Sequence, residues 1–391
     1  MDGTHPAPSA PRPGIWTLGA LFLLLTFPRA LLISLLPILA LERLGDAQNV
    51  SIFYALVSAC GVTLSLSIPT LTRRLGASGL LVVGALAMAS AGVLLLYEPF
   101  SLFVLGMLAY LFGYAAMEIA MTLFVMVLIP RNQLSFFEPR RVLFSATAYV
   151  IGPWLGITLA REVAPWWPFV ICTAFGLTTA LVALALRLHR IPMPPQKNTG
   201  NPLRYVRRFF AQPRLRLAWG LTLGRAAWWN MFFVFTPIYA VTYGLGEVTG
   251  GALVSVGVAI VWTVPLWGRV GRRFGLRRML SVSFFACGVV MLFVGAVAET
   301  PWFGAALLLL AAVVVTPLDA GGNIPFLRAV RARERAEMTG VFTTYRDTAQ
   351  LLPPAAFAVV LQVFALPAVF VTSGIAMLAL SALARYLPRR L

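Results

Sequence analysis

Six ionisable residues stand inside apolar runs long enough to cross a bilayer: Arg29, Glu118, Arg225, Asp319, Arg346 and Asp347. A Lys, Arg or Asp at the centre of a spanning helix costs about 2.5–3.5 kcal/mol on insertion scales. Such groups therefore pair, face a watery cavity and mark transport paths. The two histidines, His5 and His189, fall outside the apolar runs, which leaves Glu118, Asp319 and Asp347 as candidates for reversible protonation. Their proton affinity is set by the opposed effects of burial and a nearby guanidinium. Arg29, Arg225 and Arg346 are candidates for gripping an anion, because guanidinium offers carboxylate or phosphate a planar fork. The competing reading is a set of ion pairs that lock helices together or gate a closed state. It has particular force for Arg346 and Asp347, since neighbouring helical positions point about 100° apart. Tyr110, Tyr114, Glu118 and Met121 share one helical stripe, and Arg225, Trp228, Trp229, Phe232, Thr236, Tyr239 and Tyr243 share another. Tyr114, Trp228, Trp229, Asn230 and Asn323 join the cavity candidates. Stripes of this kind pack helices more often than they bind ligands; facing a cavity, they suit a bulky amphipathic substrate.

Twelve apolar segments must carry these residues, at roughly 15–41, 50–71, 79–97, 101–129, 142–162, 166–188, 216–243, 249–268, 278–298, 302–327, 338–362 and 366–387. With 60% hydrophobic and 11% charged residues, the composition excludes an ordinary soluble domain. The expected fold class is an all-α polytopic membrane protein in two six-helix halves, 15–188 and 216–391. A Pro/Ala-rich disordered tail over 1–14 precedes them, and a linker over 189–215 joins them through an extended part and a basic amphipathic helix. The net charge of +18 would suggest nucleic acid in a soluble protein. Here all the basic residues except Arg43, Arg161 and the intramembrane arginines lie in the tails, the linker and the even-to-odd turns. That is the positive-inside pattern, so no nucleic-acid partner is implied and both termini are expected in the cytoplasm. Cys60, Cys172 and Cys287 stand singly in apolar runs, so neither a metal site nor a disulfide framework is implied. No P-loop, H-E-x-x-H or G-x-S-x-G occurs, the first apolar run is too long for a cleavable signal, and neither an enzyme nor a cofactor is expected. Lys197 is the one lysine, and abundant Arg, Ala and Leu hint at a GC-rich bacterial genome and hence an inner-membrane protein.

The chain repeats itself. Asp319 follows Glu118 by 201 residues, and Pro354 follows Pro153 by the same interval. The turn Ile68–Leu81, with Arg73, Arg74 and Gly76, returns at Val264–Leu280 with Arg272, Arg273 and Gly275. Parallel six-helix repeats are the arrangement of the major facilitator superfamily. The stretch Gly268-Arg-Val-Gly-Arg272-Arg273-Phe-Gly275-Leu-Arg277-Arg278 resembles that superfamily's loop motif, with Arg272 where an aspartate is usual. In the first copy Pro69 replaces the glycine and Arg73 the aspartate. The motif's role would be to turn tightly on its glycines and pin helix ends by charge. That makes Gly268, Arg272, Arg273, Gly275, Arg73, Arg74 and Gly76 loop-gating candidates. Ala148-x-x-x-Gly152-Pro153-x-x-Gly156 resembles the proline motif of the superfamily's antiporters.

The resemblance implies that spans one, four, seven and ten line a central cavity, which would bring Arg29, Glu118, Arg225 and Asp319 to it. The expected function is secondary transport by alternating access, coupled to protons, exporting a small amphipathic or drug-like molecule as a monomer in a lipid bilayer. Two alternatives stand beside it. One is an organic-anion transporter with Arg29 and Arg225 as clamp, since organophosphate transporters of the superfamily carry an arginine in each of these spans. The other is a transport-inactive relative serving in assembly or lipid handling.

Overall fold

The computed structural model describes residues 14–130, 133–191, 202–331 and 335–388. The expected tail over 1–14, save Gly14, the extended part of the linker with Lys197, and Arg333 lie outside the described residues. Among the described residues there is helix and turn and no strand, as a lipid solvent that cannot satisfy open backbone groups demands.

The first apolar segment is two helices, α1 (Ile15–Leu32) and α2 (Leu35–Leu44). Pro37 lacks the N–H that would bond the Ile33 carbonyl, and its ring crowds that carbonyl, so the helix breaks at Ile33–Ser34. There follow α3 (Ala47–Ser65), α4 (Ile68–Leu95), α5 (Phe100–Leu128), α6 (Leu134–Thr158) with a π-helical turn over Leu159–Val163, and α7 (Trp167–Ala185). The linker supplies α8 (Pro202–Phe210). Next come α9 (Pro213–Thr242), α10 (Glu247–Ala259), a 3-10 turn Ile260–Thr263, α11 (Val264–Phe274) and α12 (Leu276–Ala296). The last five are α13 (Pro301–Gly321), α14 (Ile324–Ala329), α15 (Arg335–Phe342), α16 (Tyr345–Val360) and α17 (Pro367–Ala384). Pro325 breaks α13 from α14 as Pro37 breaks α1 from α2, and Gly322 takes φ +44° in the gap.

Ten helical stretches among the described residues are long and apolar enough to cross a membrane. The two remaining expected spans are those at 216–243 and 338–362. The segment at 216–243 folds as the 30-residue α9, which carries Arg214, Arg216 and Arg225. The segment at 338–362 is not one helix. It divides into α15 and α16 at Thr343–Thr344, whose hydroxyls turn back onto the carbonyls of Gly340 and Val341 at 3.0 and 2.7 Å and compete with the helical ladder.

Packing resolves two compact units: Met1–Leu32 with Cys60–Gly152 and Leu159–Gln196, and Ile33–Ala59 with Pro153–Thr158 and Lys197–Leu391. The boundary thus differs from a cut in the linker alone. The second unit takes in α2 and the Pro153–Thr158 end of α6, where the Trp154 amide donates to Ser255 Oγ at 3.0 Å. A Cβ on Gly251 would stand 2.8 Å from the Pro153 carbonyl oxygen, so only glycine permits that approach. Also within the second unit, Phe209 of the linker helix is buried with Leu215, Phe326, Met338, Phe342 and Tyr345. The linker helix thus has one apolar residue covered by protein.

The repeated turns fold alike. Proline opens both α4 and α11, and Gly76 (φ +70°) and Gly275 (φ +87°) bend the chain at matching places. Gly268 is helical, inside α11, and the turn pivots on Gly275 alone, a correction to the expectation that the motif turns on several glycines.

Candidate functional site: two clusters of intramembrane charge

In the first unit the charge centre is Arg29 on α1. Its guanidinium carbon lies 3.8 Å from the centre of the Tyr114 ring on α5, a cation–π contact. Tyr110, Tyr149 and Glu118 complete its electrostatic surroundings, and Tyr149 is hydrogen-bonded to Tyr114. Tyr110, one turn before Tyr114, donates its hydroxyl to the Arg29 carbonyl at 3.0 Å. That oxygen belongs to the last turn of α1, where carbonyls lack helical partners. Gly152 fixes the distance between α6 and α1, because a Cβ there would meet the Ala30 backbone at 2.6 Å. The proline-motif glycine thereby brings Tyr149, one turn earlier on α6, toward Arg29.

The second unit holds a tighter pair. Arg225 Nη1 on α9 stands 3.0 Å from Asp319 Oδ1 on α13, each side chain 17% exposed. The other carboxylate oxygen accepts from Trp229 Nε1 at 3.1 Å. Arg225 and Trp229 are one helical turn apart, so both reach a single acid on the facing helix. Asn230 donates to the Ala226 carbonyl at 3.1 Å and to the Ala349 carbonyl of α16 at 3.0 Å. The second bond follows from Pro353. With no N–H four residues on, the Ala349 oxygen is left without its helical donor, and the Asn230 amide takes the place.

The remaining expected residues divide between packing and accessible positions. Trp228, Phe232, Thr236 and Tyr239 are buried, so most of the α9 stripe is packing. Trp228 stacks on Phe232 at 5.1 Å, and its indole N–H finds no partner among the described residues. Tyr239 sends its hydroxyl to the carbonyls of Ala298 and Pro301 at 3.2 and 3.3 Å. Asn323 is exposed in the break before α14. Arg346 and Asp347 do not lie deep in a continuous helix as expected; they open α16 and are exposed. Arg346 Nε reaches the Tyr345 hydroxyl at 3.4 Å, and Asp347 sits in a helix first turn, where an acid is favoured. Arg73 donates to Thr70 Oγ1 at 3.3 Å, and Arg273 lies over the Phe274 ring at 5.4 Å. Neither Arg272 nor Arg273 has an acidic partner among the described residues, the consequence of arginine standing where the motif has aspartate.

The family model of the major facilitator superfamily matches residues 18–346. The chain belongs to the major facilitator superfamily. It is therefore a membrane transporter and not an enzyme. Three solved transporter structures share the fold. A peptide transporter POT in complex with sulfate superposes with TM-score 0.75 and 14% identity, covering 98% of this chain and 97% of that one. A POT family transporter with a thioalcohol-conjugated peptide gives 0.72 at 16% identity over 96% and 97%. The nucleoside transporter NupG gives 0.71 at 15% identity over 94% and 99%. No curated protein matches the sequence.

Tyr110, Tyr149 and the Ala349 carbonyl complete the clusters without having been singled out as site residues. Tyr149 had one signal, a polar aromatic inside an apolar span and beside the proline motif. The Ala349 carbonyl had another, Pro353 four residues downstream.

Proposed function

We propose that this superfamily member is a proton-coupled secondary transporter exporting a small amphipathic molecule. It works by alternating access between two six-helix halves, 15–188 and 216–391, with twelve spans. It acts as a monomer in a bacterial inner membrane, with both termini in the cytoplasm. The observation that carries this reading is the Arg225–Asp319–Trp229 cluster. A carboxylate held by one cation and one neutral donor is a group whose proton affinity changes sharply when the cation moves. Movement of cargo, or of either helix within the second half, that draws Arg225 away would recruit a proton to Asp319 and release it on return. Glu118 beside Arg29 plays the matching part in the first half. The aromatic surroundings of both clusters suit a bulky, weakly polar cargo, and each arginine has an acid to neutralise it. Asp319→Asn should abolish transport driven by a pH gradient in proteoliposomes while leaving counterflow exchange intact. Undiminished gradient-driven transport would sink the assignment.

A second reading, transport of an organic anion, is supported by the placing of Arg29 and Arg225 on corresponding spans of the repeat. A thermal-shift screen against lipophilic cations, neutral drugs, organic acids and phosphate esters separates the two. Stabilisation by anions alone, lost in Arg225→Lys, which keeps the charge and removes the fork, would select the anion transporter.

A further inference from the structure

On the arginine-rich face of the second unit, the ends of α12 and α17 part to leave a groove of about 340 Å³. It is lined by Phe274, Gly275, Arg277, Arg278, Ser281, Val282 and Arg385. None of the three arginines has an acidic partner among the described residues, so three guanidinium groups converge uncompensated on one concavity. Below it the helices are locked. Ser281 Oγ donates to the Ser381 carbonyl at 3.2 Å and Ser381 Oγ to the Ser281 carbonyl at 2.9 Å. Further along, a Cβ on either Gly288 or Gly374 would come within 2.9 Å of the other's carbonyl oxygen. The groove is therefore a fixed feature of the helix pair. An apolar track leaves it along α12, where Arg278, Val282, Phe285 and Phe293 fall on one helical stripe. The last three are each more than half exposed.

We infer that this groove binds an anionic phospholipid, its phosphate among Arg277, Arg278 and Arg385 and an acyl chain along Val282, Phe285 and Phe293. Basic pockets between helix ends are where anionic headgroups dock. The track of exposed apolar side chains distinguishes a lipid from a free phosphate, which would have no use for it. Neither transport direction nor cargo enters the inference.

The test is native mass spectrometry of the purified full-length protein titrated with phosphatidylglycerol and phosphatidylcholine in detergent. The wild type is expected to retain one phosphatidylglycerol at least about tenfold more strongly than phosphatidylcholine, since each arginine near a headgroup contributes roughly fivefold. The triple variant Arg277→Gln, Arg278→Gln, Arg385→Gln should lose that preference. A control triple, Arg73→Gln, Arg74→Gln, Arg190→Gln, removes equal charge elsewhere and should keep it. Should the first triple fail to fold, Val282→Glu reads the same site, by setting a carboxylate one turn from Arg278 with all the arginines retained, and should lose the preference too. Equal retention by wild type and variants, equal loss in the control, or displacement of the lipid by millimolar inorganic phosphate would each overturn the proposal.

Discussion

Asn230 shows how a single side chain can fill a missing rung in a helical ladder. Its amide serves the Ala349 carbonyl that Pro353 leaves without a donor, and an unsatisfied buried carbonyl costs about 1–3 kcal/mol. Asn230→Ala should therefore lower stability by that order. In a Pro353→Ala background, where the backbone N–H returns, it should be distinctly milder; a double-mutant cycle of melting temperatures in detergent reads the difference, and additive effects would contradict it. The six intramembrane charges were legible as residues, because charge inside an apolar run is unmistakable. Their pairing was legible only in part. Arg225 and Asp319 come together because their helices do, whereas Arg346 and Asp347 open α16 instead of lying deep in one helix, because two successive threonines interrupt the helix just before them. No hydropathy pattern registers that break.

At the scale of elements, the repeated turn carries two glycines of opposite character. Gly275 takes φ +87° between α11 and α12, a sparsely populated conformation that costs other residues on the order of 1–3 kcal/mol. Gly268 lies inside α11, where an added Cβ would meet only the Arg272 guanidinium, at 3.8 Å. Gly275→Ala should lower the melting temperature, and Gly268→Ala should raise it slightly, because glycine costs a helix interior roughly 0.5–1 kcal/mol. Equal effects would mean that the motif's glycines are interchangeable. The helix breaks at Ile33–Ser34 and Gly322–Asn323 lie about one turn before Pro37 and Pro325, but Pro28, Pro237, Pro317 and Pro353 stand inside unbroken helices, so proline alone did not place them. The apolar face of the linker helix could not be assigned from the sequence either. Basic residues around Tyr and Phe fit a membrane surface and a protein surface equally well, and Phe209 took the second.

For the molecule as a whole, composition, the 201-residue interval and the motif resemblance at 268–278 were enough to name an all-helical superfamily fold, since lipid allows few architectures. The compact units depart from the halves where local chemistry is specific. Pro37 frees α2 from α1, and Gly251 with Ser255 draws the end of α6 onto α10. Periodicity is blind to such contacts because they depend on which two backbones meet.

The burial of Phe209 among Phe326, Phe342 and Tyr345 determines where this protein can be divided. A chain severed between Arg190 and Pro202 would leave the linker helix seated on the downstream fragment. A chain severed between Phe210 and Pro213 would strip the cover from that aromatic cluster. Co-expressed as two fragments, the first division should reconstitute a complex that survives detergent extraction and affinity capture. The second should yield markedly less of it, and equal recovery would mean that the linker helix serves only to tether.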